Sequence, residues 1–220
     1  MSDASNRGPR HEPPQKPLSD AEESLHTTHN AMSLAEQKRG RVKPATWIVL
    51  ILLALVAMIV PYWFGRDLAM NRTDSLVAVL QLFDPRGLAI ISWLSVVITF
   101  AALGGAVAGW KRRLMGVVAF VTFAIEQFLG GFSLLKGDFW YSTYVVFHDD
   151  SIYANAVNLG ILSATVGLMV FAILFVAVLV LIKRNSPLNI LTRGASALSL
   201  FLITELIALI VVLFGGLIAI

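Results

Sequence analysis

Five stretches of this chain, near residues 46–64, 88–110, 114–135, 157–182 and 195–220, are apolar over the length of a membrane crossing. Crossing roughly 30 Å of hydrocarbon takes about 20 residues at about 1.5 Å of helical rise each. No water is present there to bond an open backbone, so each crossing must satisfy its own N–H and C=O groups, as a helix does. The expected fold is therefore all-α and integral to the membrane, with five transmembrane helices. Composition points the same way. Hydrophobic residues make up 57% of the chain and charged residues 14%, with a mean hydropathy of +0.75. Soluble domains carry roughly 25% charged residues, and a water-soluble globule this apolar would lack the polar surface to face its solvent.

Two regions are expected: a polar tail over 1–45 and the five-helix domain over 46–220. Residues 1–32 are rich in Pro, Ser, Glu, His and Asn and contain no aromatic residue, which predicts disorder. Ser33 and Glu36 then have the spacing of a capping box. They predict a short basic helix over 33–41 at the membrane surface, bringing Lys38, Arg39, Arg41 and Lys43 to lipid headgroups or a partner. A polar, Pro-rich beginning is unlike a secretory signal peptide, so the apolar run from Thr46 is expected to act as an uncleaved anchor. Between the first two spans, Ser75 to Phe83 is apolar but too short to cross. It predicts a short interfacial outer helix capped by Thr73 or Asp74.

Basic residues set the expected orientation. Lys38, Arg39, Arg41, Lys43, Lys111, Arg112, Arg113, Lys183, Arg184 and Arg193 fall on one side, against Arg66, Arg72, Arg86 and Lys136 on the other. The positive-inside rule then places the N-terminus in the cytoplasm and, after five crossings, the C-terminus outside. A polar tail followed by compact spans with short basic inner loops suggests a plasma membrane, with a bacterial inner membrane favoured. The outer loop over 136–157 contains Phe139, Trp140, Tyr141, Tyr144, Phe147 and Tyr153, which reads as an interfacial aromatic belt.

Two acids interrupt the apolar spans. Glu126, with Gln127 beside it, lies 13 residues past Arg113, and Glu205 lies 12 past Arg193. At helical rise both carboxyls sit about 18–20 Å deep, near the midplane. A charge there costs about 2.5 to more than 10 kcal/mol, so such groups are expected to be sheltered by protein. Glu126 shares its face with Ala119, Thr122, Gly130 and Ser133, a small and polar stripe suited to helix contact. Glu205 has no such stripe: Leu198, Phe201, Leu202, Leu209 and Val212 surround it. That greasy setting predicts contact with another chain, or a carboxyl bonded to a backbone carbonyl. As a pair, the two acids would form a proton or cation relay; singly, they would join helices by hydrogen bonds.

Small residues supply the packing signal. Gly105 and Gly109, and then Gly160, Ala164 and Gly167, recur near four-residue spacing and would let helix backbones approach closely. Arg112 and Arg113 follow Lys111 in an inner loop suited to headgroup or partner contact. Cysteine is absent, which excludes disulfides, thiolate metal sites and iron–sulfur clusters. No span contains histidine, and no Walker loop, nucleophile elbow or HExxH motif occurs. No metal site, cofactor, nucleic-acid partner or enzymatic activity is expected. The expected role is a non-catalytic accessory or assembly subunit, partnered by the lipid bilayer and other membrane subunits. The alternative is a small oligomeric proton- or cation-coupled transporter or channel that uses Glu126 and Glu205, for which a homo-oligomer is a possible assembly.

Overall fold

A computed structural model describes residues 44–181 and 194–218. Its elements are α1 (Pro44–Asn71), α2 (Thr73–Leu80), α3 (Pro85–Val107), α4 (Arg112–Phe132), α5 (Phe139–Phe147), a 3₁₀ turn (His148–Asp150), α6 (Ser151–Leu181) and α7 (Gly194–Phe214). The protein is all-helical, and five of these helices (α1, α3, α4, α6 and α7) are long and apolar enough to cross a membrane. The short basic helix expected over 33–41, with Lys38, Arg39, Arg41 and Lys43, lies outside the described residues.

Local chemistry moves several boundaries from their expected places. α3 begins at Pro85 because Asp84 caps it, its side chain accepting from the Arg86 backbone N–H at 3.4 Å. Proline suits the first helical position because the N–H it lacks would have had no partner there. α1 runs on to Asn71 through the polar residues after Phe64, with Gly65 and Ala69 buried along the way. Pro61 is therefore interior to α1 and withholds the N–H that would bond the Ala57 carbonyl. The interfacial helix is present as α2, but Arg72 stands at its N-cap and no side chain caps it. Thr73 instead donates back to the Ala69 carbonyl at 2.7 Å, continuing the track of α1. The aromatic outer loop is itself helical. α5 buries Phe139, Thr143 and Phe147 and leaves Trp140, Tyr141 and Tyr144 exposed.

Helix ends explain three further boundaries. At the end of α3, Gly109 has φ of +86°; its N–H bonds the Ala106 carbonyl at 3.3 Å, and the Trp110 N–H bonds the Gly105 carbonyl at 2.9 Å. This pair of reversed bonds is a Schellman closure, which favours glycine at the left-handed position. α4 closes the same way, through Leu134 N–H to Gly131 and Leu135 N–H to Gly130, but with Leu134 at φ of +55°. A left-handed leucine costs about 1–2 kcal/mol. Its side chain is 5% exposed, so burial offsets the strain. α7 stops at Phe214 instead of running to 220, because Gly216 turns to φ of +75°.

Within the bundle, α3 packs mainly on α4 and α6, and α6 on α7. The helices lie in the order α4, α3, α6, α7, with lighter contacts from α3 to α7 and from α4 to α6. Glycines sit at the crossings. Gly160 of α6 faces the Ala89 carbonyl and the Ser92 hydroxyl of α3, Gly131 of α4 faces the Tyr62 carbonyl of α1, and Gly65 of α1 faces the Phe128 carbonyl of α4. At each of these a Cβ would collide with backbone or buried atoms. Ser92 adds a bridge there, donating to the Val157 carbonyl at 2.9 Å.

The crossings make a graded expectation. Gly160→Ala lowers stability by about 1–3 kcal/mol through overpacking. Gly104→Ala, whose Cβ meets nothing within 4 Å, is neutral or stabilising by up to about 1 kcal/mol from helix propensity. Reversible unfolding of both variants in detergent micelles reads the difference.

Candidate functional site

The buried acid is Glu205. It sits near the middle of α7 at 1% exposure, against Gly167 of α6. A Cβ on Gly167 would lie 2.7 Å from Glu205 Oε2 and 3.0 Å from its Cα, so only glycine leaves room for the carboxyl. The Trp93 indole of α3 faces the same carboxyl. Neither Trp93 Nε1 nor Glu205 Oε2 completes a hydrogen bond among the described residues. An indole N–H can only donate, and a carboxyl can accept. The two groups are complementary, enclosed together and close, yet short of a formed bond.

This setting corrects the expectation drawn from the greasy face of Glu205. The apolar neighbours along α7 say nothing of what α6 and α3 bring across, and those helices supply a glycine notch and an indole. Shelter for Glu205 comes from within the chain.

Glu126 is placed differently. Its stripe does face protein: Ala119, Gly130 and Ser133 are buried, and Thr122 meets Thr99 of α3, their hydroxyls 2.8 Å apart. Glu126 and Gln127 themselves are half-buried. α4 and α7 are not packing neighbours; α3 and α6 lie between them. The two acids share a depth in the sequence but lie on opposite flanks of the bundle.

The remaining candidates fall into three groups. Gly160, Ala164 and Gly167 lie on one face of α6 and are all buried where it meets α3 and α7. Gly105 packs on the side chains of Met115 and Trp110, and Gly109 belongs to the helix-ending turn. Both therefore serve the α3–α4 hairpin, and neither supports a backbone crossing. Lys111, Arg112 and Arg113 are exposed at the start of α4, with no acid in its first turn.

A second polar cluster escaped the sequence reading. Asn158 is fully buried in α6 and donates to the Ser133 carbonyl at 2.7 Å. Thr143 of α5 donates to Asn155 Oδ1 at 2.6 Å. Together they pin the end of α4 and the outer helix α5 to α6. Asn155 and Asn158 stand three apart in an apolar run, a spacing that puts both on one helix face and is the signal by which the sequence could have revealed them. For Trp93 no comparable signal existed. Nearby, Gln81 donates to Asp150 Oδ1 at 2.9 Å, tying the end of α2 to the 3₁₀ turn that holds His148 and Asp149.

Five apolar helices and a carboxyl enclosed between three of them define a multi-pass α-helical membrane protein. Compared with protein-family models, curated proteins and solved structures, the chain matches none.

Two double-mutant cycles test this geometry. Trp93→Phe and Glu205→Gln are expected to be coupled by about 0.5–2 kcal/mol, the scale of interhelical polar contacts in bilayers. Glu126→Gln and Glu205→Gln are expected to add within about 0.5 kcal/mol, as separated sites do. Unfolding free energies in micelles supply both values.

Proposed function

We propose that the protein is a non-catalytic accessory or assembly subunit of a larger membrane complex, joined to partner subunits through the stretch of α1 from Leu50 to Val60. The observation that carries this reading is the exposure of that helix. From Leu50 to Val60 every residue except Ala57 is exposed, whereas Gly65 and Ala69 further along are packed away. Association in lipid rests on van der Waals packing and interhelical hydrogen bonds. Three turns of α1 make almost no such contact with the other described residues, and a partner helix supplies it in the assembly. Orientation follows the basic residues, with the N-terminus in the cytoplasm.

The polar interior supports a structural role. Ser92, Thr99, Thr122, Thr143 and Asn158 are committed to short hydrogen bonds that lock neighbouring helices. The cleft between α3, α6 and α7 is lined almost wholly by apolar side chains. A proton- or cation-coupled transporter is the second reading, favoured by one observation: the enclosed, unbonded carboxyl oxygen of Glu205. Its relay would have to cross α3 and α6 to reach Glu126.

Purification of the tagged full chain in a mild detergent separates the two. Stoichiometric membrane subunits are expected to accompany it. Reordering residues 50–60, with Ala57 kept and composition unchanged, is expected to release them while the bundle's own stability changes by less than about 1 kcal/mol. A lone homo-oligomer whose ion flux disappears in Glu205→Gln would favour the transporter.

A further inference from the structure

We infer that the end of the bundle bearing Lys111, Arg112 and Arg113 holds an anionic phospholipid, one acyl chain seated in the cleft between α3, α6 and α7. The cleft has a volume of about 580 Å³, within the roughly 300–1,000 Å³ of ligand pockets. Phe100, Leu168, Phe171, Phe175, Leu198 and Phe201 line its depth, and Trp110 stands at its end. Such a lining offers water almost no hydrogen bonds, so a void there stays dry and forfeits dispersion contacts until something apolar fills it. All of its deep wall belongs to membrane-spanning helices, which puts an acyl chain within reach. From Phe100 to Val107 the wall extends roughly 10 Å along α3 at helical rise, and Trp110 marks the headgroup level, where exposed indoles settle.

Charge decides which lipid. Lys111, Arg112 and Arg113 follow Trp110 directly and are exposed. Among the described residues the one ion pair is Lys136 with Asp138, and none of the three has a carboxylate partner within that set. They also crowd the start of a 21-residue helix that has no acid in its first turn and no side-chain cap. Cations at a helix N-terminus oppose the macrodipole, and an anionic oxygen relieves both the charges and the open N–H groups. A phosphate-bearing, net-negative headgroup complements this end, whereas a zwitterionic one does so only in part. The inference does not depend on a partner subunit.

Native mass spectrometry of the full chain tests it, using phosphatidylglycerol and phosphatidylcholine as probes. Wild type is expected to retain one phosphatidylglycerol with about tenfold or greater preference over phosphatidylcholine, given the electrostatic worth of basic residues near a lipid surface. Replacing all three cations (Lys111→Gln, Arg112→Gln and Arg113→Gln) is expected to erase the preference. Gly104→Phe is expected to expel the lipid with all three charges intact, because Gly104 lines the cleft and its Cβ direction is open. Equal retention of the two lipids by wild type would overturn the inference. So would a Gly104→Phe variant that keeps its phosphatidylglycerol, since the headgroup would then be held by the charged surface alone.

Discussion

Close approach of α6 to its neighbours is the constraint on which the rest of the bundle depends. Lipid tails are as apolar as leucine, so burying leucine against another helix gains little, and contact area at short range must do the work. α6 achieves that range with Gly160 and Gly167, seven residues apart and therefore on one stripe of the helix. At the first, α3 comes near enough for the Ser92 hydroxyl to bond the Val157 carbonyl; at the second, α7 comes near enough to press a carboxyl into the missing side chain. Ala164 lies between them with no exposed surface. One stripe thus sets the position of three helices.

The same seam accounts for the polar groups that the interior tolerates. Glu205 is held where Gly167 leaves space, at 1% exposure, and the Trp93 indole faces it. Further along, Asn158 fastens the end of α4 and Asn155 fastens the outer helix α5, whose exposed Trp140, Tyr141 and Tyr144 suit the headgroup layer. Packing is therefore dense around α6 and thins toward the first half of α1. From Leu50 to Val60 only Ala57 is buried among the described residues.

Helical ends show how local rules and global needs divide the work. Gly109 and Gly216 take left-handed backbone at no steric cost and stop their helices. Leu134 takes the same conformation at a cost because its side chain is needed in the core. The pairing of Asp84 with Pro85 was a legible start signal for α3, as Gly109 was a legible stop, and both outweighed the hydropathy pattern at the boundary.

Number, type and approximate limits of the spans were decided by the sequence alone, since the bilayer demands about 20 apolar residues in a self-satisfied helix and little else meets that demand. The short helix between the first two spans was equally legible from its length. Which acid is sheltered was not. Glu126 sits on a small, polar stripe and is half-exposed; Glu205 sits among leucines and is enclosed. Periodicity along one helix tells which residues share a face, but the partner of that face comes from residues far away in the chain: Gly167 is 38 positions from Glu205, and Trp93 is 112. Only tertiary packing brings a notch, an indole and a carboxyl to one point, because in a membrane the fit between helix surfaces, and not their hydrophobicity, selects which faces meet.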